Sequence, residues 1–232
     1  MLIRQLFDPE SSTYTYLVAD RAAGVAALID PVREQLERDL SQVRELGLTL
    51  THVLDTHVHA DHVTAAALLR ERTGAATCAG VHGAVCASRH LRHGEVVRLG
   101  AVELTVLATP GHTDDSLSFL VPGAVFTGDS LLIRGCGRAD FQNGDAGALH
   151  DSITGMLFTL PEDTVVYPGH DYRGRTASTI GEEKQWNPRL AGKGRTEFIE
   201  LMSRLELPPP RQLATAVPAN RACGAAPTPQ AS

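Results

Sequence analysis

The sequence predicts an α+β fold in which two mixed β-sheets pack face to face and helices cover their outer faces. Short apolar runs of strand length, bounded by turn residues, fall into two groups, and each group is followed by segments with helical spacing. The composition, with 43% hydrophobic and 21% charged residues over 232 positions, excludes a disordered or fibrous chain. No repeat or linker divides the sequence. We therefore expect one domain over residues 1–224 and a disordered tail at 225–232.

The first half of the sequence contains four strand candidates and two helix candidates. Gly24 and the pair Asp30-Pro31 bound the strands, because these residue types favour turns. Apolar residues recur at helical spacing from Leu36 to Leu46, and Gly47 ends that helix. The predicted strands are 2–7, 14–18, 25–29 and 50–54, and the predicted helices are 34–46 and 63–72.

The second half repeats this arrangement with five strand candidates and three helix candidates. Gly100 and the pair Pro122-Gly123 supply the turns between the strands. The predicted strands are 95–99, 102–107, 117–121, 125–126 and 164–167, and the predicted helices are 146–158, 179–186 and 195–205.

Charge, hydropathy and cysteine usage exclude several classes of function. The formal net charge of −6 argues against a basic surface for nucleic acid. No run of 18 apolar residues predicts a membrane span, and the N-terminus lacks the apolar core of a signal peptide. The four cysteines form neither a CxxC pair nor a dense framework, which predicts reduced thiols and a cytoplasmic protein.

A dense group of metal-binding residue types follows the strand at 50–54. Residues 55–62 read Asp-Thr-His-Val-His-Ala-Asp-His, so four potential ligands, His57, His59, Asp61 and His62, fall within six positions. In an extended segment, residues two apart share one side, which places His57 and His59 together. The alternative is a polar helix cap made by Asp61 with histidines at the surface, but a cap does not explain three histidines.

Three further candidates stand at predicted strand ends, each directly after a glycine that allows a sharp turn. They are His112, Asp129 and His170. Imidazole and carboxylate ligands suit zinc, iron or manganese, so the sequence predicts a metal site. The remaining histidines lack this context and are predicted to be surface or packing residues; they are His52, His82, His90, His93 and His150.

The HxHxDH motif, followed by His, Asp and His at these intervals, resembles the metallo-β-lactamase superfamily over roughly residues 1–205. This resemblance implies an αββα sandwich with a metal site at one edge of its sheets. The fold hosts hydrolases, lactonases, nucleases and oxidoreductases, so it does not settle the reaction.

Longer segments resemble one group in that superfamily, the persulfide dioxygenases. These segments are 126–142, 158–161, 167–172, 182–189, 217–220 and 223–224. The resemblance implies one non-haem Fe(II) per chain, held by His57, His112 and Asp129. It implies that glutathione persulfide, O2 and water are converted to glutathione and sulfite, and that a homodimer is possible. The other candidates would support these ligands or hold a second metal; they are His59, Asp61, His62 and His170.

The same resemblance implies substrate-binding and catalytic roles for Arg138 and Tyr172. Arg138 would pair with a carboxylate of glutathione, and Tyr172 would hydrogen-bond the tripeptide or the persulfide. The alternatives are an internal ion pair of Arg138 with Asp140 or another acid, and packing of Tyr172 with a satisfied hydroxyl. Cys136 and Cys223 are interpreted as small packing residues.

Two other functions compete with the dioxygenase. A binuclear hydrolase of glutathione thioesters, similar to glyoxalase II, would use all seven candidate ligands and a metal-activated hydroxide. The loop at 134–138 and the short C-terminal region argue against it. A protein that binds iron or persulfide without turnover is the second competitor, and a ligand set with open positions argues against that reading.

Overall fold

Two six-stranded sheets form the centre of the protein in the computed structural model, which describes residues 1–210 and 212–224. The first sheet contains, in spatial order, β1 (Leu2–Phe7), β2 (Tyr14–Asp20), β3 (Val25–Ile29), β4 (Thr49–Leu54), β5 (Ala76–Gly80) and β6 (Arg89–Leu91). The pairs β1–β2 and β2–β3 are antiparallel. The strands β3 to β6 are parallel to one another. The first sheet is therefore mixed, as predicted.

The second sheet is also mixed, with a single parallel pair near one edge. Its strands lie side by side in chain order: β7 (Val96–Leu99), β8 (Val102–Ala108), β9 (Leu117–Val121), β10 (Ala124–Gly128), β11 (Val165–Pro168) and β12 (Ser178–Thr179). All neighbours are antiparallel except β10 and β11. The ends of β10 and β11 therefore point to the same edge of the sandwich.

Among the described residues, five helices cover the outer faces of the two sheets, and the last helix packs on Val63 in the loop after β4. They are α1 (Leu36–Glu45), α2 (Ala66–Thr73), α3 (Ala146–Gly155), α4 (Ile180–Trp186), α5 (Arg195–Ser203) and α6 (Leu213–Arg221), with single 3-10 turns at Arg33–Gln35 and Leu157–Thr159. Leu40 of α1 and Leu69 of α2 pack with Leu28 of the first sheet. Leu149 of α3 packs with Val125 of the second sheet. These contacts confirm the predicted αββα sandwich.

The strand β2 is buried on both faces, because its side chains alternate between the two layers of the core. Tyr16 points between the sheets, where its ring lies 4.9 Å from the ring of Phe126. Leu17 points to the opposite side, towards the helices of the first sheet. The Tyr16 hydroxyl donates a 2.6 Å hydrogen bond to the carbonyl of Pro168. This bond joins the two sheets next to the end of β11, where one predicted ligand lies.

The structure differs from the sequence prediction at four elements, and most of the predicted boundaries shift by one to three residues. The strands β5, β6 and β12 and the helix α6 were not predicted. The composition of β5, Ala-Thr-Cys-Ala-Gly, is poor in strand-forming residues, and α6 contains Pro218 in its interior. The helix predicted at 63–72 begins at Ala66 with Ala65 at its cap, so Asp61 does not cap it. The predicted tail at 225–232 lies outside the described residues.

One cysteine prediction is wrong. Cys86 and Cys223 form a disulfide with their Cα atoms 6.0 Å apart, so these two residues are not reduced thiols. No local pattern indicates this pair, because the two residues are 137 positions apart and the unpredicted helix α6 brings them together. Cys78 and Cys136 are free and buried, which agrees with the packing interpretation of Cys136. Cys223 is buried too, but it is half of a disulfide and not a free packing residue. Among the described residues, no helix is long and apolar enough to cross a membrane.

Candidate metal centre

All seven predicted ligands meet at one edge of the sandwich, between the two sheets. The loop 55–65 leaves the end of β4 and carries four of them, namely His57, His59, Asp61 and His62. His112 lies in the turn between β8 and β9, Asp129 directly follows β10, and His170 follows β11. Strand ends from both sheets therefore supply the site, as the sequence predicted.

His57, His112 and Asp129 form the first donor group. One possible ligand atom from each residue lies within 4.8 Å of the others. His57 is buried, whereas the side chains of His112 and Asp129 are 13% and 12% exposed. The group is therefore open on one side, where a ligand from solution can approach a bound metal.

Hydrogen bonds at Nδ1 fix which nitrogen each histidine presents. Nδ1 of His112 lies 2.6 Å from the carbonyl oxygen of Arg138, which can only accept, so this nitrogen carries the proton. Thr56 donates its hydroxyl proton to Asp30 and lies 2.9 Å from Nδ1 of His57, so it accepts a proton there. Both rings keep the lone pair on Nε2 for a metal, which is the usual way that outer hydrogen bonds orient histidine ligands.

Burial and neighbouring imidazoles keep His57 neutral. Burial lowers the pKa of His57 well below its ordinary value, and the nearby rings of His59 and His112 lower it further. The ring centroids of His57 and His112 are 4.8 Å apart. A neutral imidazole is the form that binds a metal, so the environment of His57 favours coordination.

His170 holds the carboxylate of Asp129. Its Nδ1 donates to Oδ1 of Asp129 over 2.6 Å, and its Nε2 lies 2.9 Å from Oδ2 of Asp61. Burial opposes the charge on His170, but the two carboxylates outweigh it and raise the pKa of His170 well above its ordinary value. Gly169 leaves room for this arrangement, since a Cβ there would lie 2.7 Å from Oδ1 of Asp129.

A second donor group, formed by His59, Asp61 and His62, lies beside the first. Nδ1 of His62 lies 2.9 Å from Oδ2 of Asp61, and its buried Nε2 has no hydrogen-bond partner among the described residues. Nε2 of His59 lies 3.1 Å from Oδ1 of Asp30. Burial lowers the pKa of His59, but Asp30 and the other nearby carboxylates outweigh it and raise this pKa to about 9. These contacts join His59 and His62 in one network with Asp30 and Asp61.

A cavity of ≈ 670 Å³ opens onto the first donor group, and five arginines line it. These are Arg134, Arg138, Arg173, Arg175 and Arg189. Arg134 pairs with Glu182 and Glu183, and Arg175 pairs with Asp171. Within residues 1–210 and 212–224, Arg173 and Arg189 form no ion pair. Four carboxylates also line the cavity, those of Glu10, Asp61, Asp129 and Asp171, so it presents both charges to a ligand.

Arg138 forms the internal ion pair that the sequence analysis left open as the alternative. Its Nε and Nη2 donate to the two carboxylate oxygens of Asp140 over 2.6 and 2.7 Å. Its Nη1 also donates to the carbonyl of Pro208 over 2.7 Å. The substrate-binding role of Arg138 stays a prediction, and the structure shows that its guanidinium already has partners.

Tyr172 lies at the rim of the cavity with 71% of its surface exposed. Its ring stacks on the ring of His170 with centroids 6.0 Å apart. Its hydroxyl forms no hydrogen bond to any described residue, so the alternative of a satisfied hydroxyl does not hold in this part of the chain. The predicted substrate role of Tyr172 stays a prediction.

Sequence reasoning missed the residues that orient the ligands. Asp30 accepts from the amide and hydroxyl of Thr56 and contacts His59. The hydroxyl of Thr13 lies within 3.3 Å of Asp61, His62 and His170. Asp30 stands in an Asp-Pro pair after a strand, and this pair predicts only a turn. No pattern around Thr13 indicates a role at the metal site. The five other histidines lie outside the site, as predicted.

A family model described as the metallo-beta-lactamase superfamily matches residues 8–85 and 87–170. The chain belongs to this superfamily. The persulfide dioxygenase ETHE1, mitochondrial, of Homo sapiens is 45% identical over 227 residues, which cover 97% of this chain and 89% of that protein. Within the superfamily, the chain therefore belongs to the persulfide dioxygenase family, as its motifs predict.

Solved structures agree with this assignment. The crystal structure of ETHE1 from Myxococcus xanthus matches with a TM-score of 0.96 and 63% identity, covering 97% of this chain and all of that one. The hydroxyacylglutathione hydrolase of Rhodospirillum rubrum is 37% identical over 167 residues, or 70% of this chain and 63% of that protein. The similarity to the dioxygenases is therefore both closer and more complete.

Proposed function

We propose that this protein is a non-haem Fe(II) persulfide dioxygenase that acts on glutathione persulfide. The balanced reaction is GSSH + O2 + H2O → GSH + SO3²⁻ + 2 H⁺. The observation that carries this proposal is the group of two histidines and one carboxylate, His57, His112 and Asp129, at the base of a cavity lined by arginines. The similarity of this chain to proteins named as persulfide dioxygenases supports the same reaction.

The donor set fits a single iron. Two histidines and one carboxylate on one face of the metal are typical of non-haem Fe(II) oxygenases, because they leave positions open for substrate and O2. When bound, Fe(II) supplies a redox path between the persulfide sulfur and O2 that zinc does not offer. In this chain the open side faces the cavity, where His112 and Asp129 are partly exposed.

The surrounding residues keep these ligands in place. The carbonyl of Arg138 holds Nδ1 of His112, and Thr56 holds Nδ1 of His57. His170 occupies Oδ1 of Asp129, and Oδ2 lies 3.7 Å from Nε2 of His112. These hydrogen bonds preorganise the three donors for a metal.

The cavity suits a tripeptide with two carboxylates. Arg173 and Arg189 have no carboxylate partner within the described chain, and both line the cavity. Charge-assisted hydrogen bonds from arginine to a carboxylate are among the strongest polar contacts in proteins. Arg138 can bind a substrate carboxylate only by exchanging Asp140 for it, whereas the free hydroxyl of Tyr172 can donate to the substrate without breaking another bond.

The decisive experiment measures O2 uptake by anaerobically purified, Fe(II)-loaded protein after addition of glutathione persulfide. Metal content and sulfite are measured on the same sample. We expect rapid uptake, one sulfite for each O2 and one iron per chain. Two metals per chain and hydrolysis of lactoylglutathione without O2 uptake would assign the chain to the hydrolases. Iron binding without either reaction would indicate a binding protein.

A further inference from the structure

We propose that Asn220 is a positioning residue of the metal centre. Its side-chain amide, carried by the C-terminal helix α6, holds the main chain of the metal-binding loop 55–65. This inference depends on one part of the proposed function, namely that the loop binds a metal. The segment around Asn220 stands out in the sequence for its family resemblance alone, and no catalytic or ligand role uses Asn220.

Every polar group of the Asn220 amide bonds to this one loop. Nδ2 donates to the carbonyls of His59 and His62 over 2.9 and 2.8 Å. Oδ1 accepts from the main-chain amide of Thr64 over 2.8 Å. Asn220 is 3% exposed, so these bonds form away from water. A buried amide with all its groups paired to one segment fixes that segment geometrically.

The loop needs such a partner because it belongs to no sheet or helix between β4 and α2. Asp115 holds the amide of Val58, and the amide of Arg33 donates to the carbonyl of Val63. Between these two points, Asn220 is the donor to the carbonyls of His59 and His62 among the described residues. A buried carbonyl that loses its donor is destabilising, so the loop would shift to recover one.

A shift of the loop would reach the primary ligand. The ring centroids of His57 and His59 are 4.1 Å apart, and those of His59 and His62 are 4.3 Å apart. A displaced His59 carbonyl would move the ring that packs against His57. Interiors are close-packed, so such a displacement passes to the neighbouring ring.

Helix α6 is itself fixed firmly enough to act as a support. Ala216 and Ala219 pack against Val63 of the same loop. The carbonyl of Cys223 accepts from the amide of Ala67 at the start of α2. Gly224 lies so close that a Cβ at this position would be 2.0 Å from the carbonyl oxygen of Thr64. These contacts lie on both sides of Asn220 in the sequence, so the packing of α6 and the residues after it fixes the position of the Asn220 amide against the loop.

Metal binding and the docking of α6 should therefore stabilise each other. If Asn220 improves the geometry of the ligands, thermodynamic linkage requires that the bound metal also strengthens the attachment of α6. Substitution of residues that orient metal ligands costs about 10–100-fold in metal affinity. We expect the loss of the Asn220 amide to fall in this range.

The test uses two variants at this position and one control in the full chain. Asn220→Ala removes all three bonds. Asn220→Asp keeps the size of the side chain and the acceptor for Thr64 but loses both donors, so it covers the case in which the alanine variant does not fold. Val43→Ala is the control, because Val43 is buried in the outer layer of the first sheet, away from the site.

Three quantities are measured: affinity for Fe(II) under anaerobic conditions, the visible spectrum with Co(II), and hydrogen exchange of residues 213–221 with and without metal. In the unmodified protein, metal should slow exchange in α6. In both Asn220 variants, the metal dissociation constant should rise about tenfold or more, the Co(II) spectrum should change, and the protection of α6 should disappear. Val43→Ala should lose stability but keep the affinity and the spectrum.

Different outcomes would contradict the role of Asn220 and the dioxygenase activity. If the unmodified protein binds metal and the folded Asn220 variants bind it with equal affinity and spectrum, Asn220 does not position the site. If Val43→Ala lowers the affinity as much as the Asn220 variants do, the effect comes from general stability and the inference is wrong. If the unmodified protein binds metal but does not consume O2, the dioxygenase proposal fails while the Asn220 test still decides.

Discussion

Nδ1 of His170 donates to Oδ1 of Asp129 over 2.6 Å while Nε2 of the same ring lies 2.9 Å from Oδ2 of Asp61. One imidazole thus connects the carboxylate of the first donor group with the carboxylate of the second. Because Oδ1 of Asp129 is used in this bond, its Oδ2 is left to complete the group with His57 and His112. The two donor groups are therefore mechanically linked through His170.

Asp129→Ala should abolish both iron binding and dioxygenase activity. The variant removes the only carboxylate of the first donor group, so iron affinity should fall by about 100-fold or more. Metal analysis after anaerobic loading and O2 uptake with glutathione persulfide give the two readouts. Asp163→Ala, at an exposed position away from the site, is the control and should keep both. Full iron content and full turnover in Asp129→Ala would show that the ligand assignment is wrong.

His170→Ala should weaken iron binding without abolishing it. The variant frees Oδ1 of Asp129 but leaves all three donors of the first group, so we expect a loss of about 10–100-fold in affinity. The number of metals per chain distinguishes the two functions. A dioxygenase should hold one iron at saturating Fe(II) before and after the change, whereas a loss of one metal out of two would favour the hydrolase.

Arg138→Ala should raise KM for glutathione persulfide more than it weakens iron binding. A charge-assisted hydrogen bond contributes about 1.5–3 kcal/mol, which corresponds to a roughly 10–100-fold change in KM if Arg138 binds the substrate. Asp140→Ala is the matched variant, because it breaks the same ion pair but leaves the guanidinium free. Equal effects of the two substitutions on KM and kcat would mean that the Arg138–Asp140 pair only shapes the cavity wall.

Asp39→Asn should stabilise the protein above pH 6. Burial raises the pKa of Asp39 to about 6 despite the opposing effect of Arg38. The folded state therefore binds a proton at Asp39 more tightly than the unfolded state does. The protonated carboxyl contributes to the free energy of unfolding below about pH 4, and this contribution is lost as the pH rises through 6. The asparagine variant avoids this loss, with an expected gain of about 1–3 kcal/mol at pH 8.

Urea unfolding of the two proteins at pH 4 and pH 8 checks this prediction. The difference in the free energy of unfolding should be present at pH 8 and close to zero at pH 4. Glu37→Gln serves as the control, because Glu37 lies on the same helix but is exposed. A gain that does not change with pH would contradict the role of Asp39 ionisation.

Cys86→Ser should lower the stability of the protein by removing the disulfide to Cys223. A cross-link that closes a loop of this length restricts the unfolded chain and contributes about 2–5 kcal/mol. Urea unfolding with and without a phosphine reductant measures the effect. The reductant should destabilise the unmodified protein and leave Cys86→Ser unchanged. A response of the serine variant to the reductant would indicate another oxidised thiol.

The strands and the ligands could be predicted because their signals are local. The strands β1, β3 and β9 have the predicted bounds, since their apolar runs end at turn residues. His112, Asp129 and His170 were found because each follows a glycine at a strand end. The fold then brings them to His57, as strand ends in one sandwich must meet at its edges.

The supporting contacts could not be predicted because they join distant segments. Asn220 lies 161 positions from His59, whose carbonyl it binds, and only the packing of α6 brings the two together. The helix itself was missed because Pro218 interrupts its pattern. Asp30 was interpreted as a turn residue, since its contacts with Thr56 and His59 form only when β3 and β4 pair.

The disulfide has a topological consequence for the metal centre. The bond between Cys86 and Cys223 closes a covalent ring that contains His112, Asp129 and His170 but not His57. A single proteolytic cut between these cysteines would therefore leave all four side chains on one covalently connected molecule. Such a nicked protein would migrate as one species under oxidising conditions and separate into two fragments after reduction.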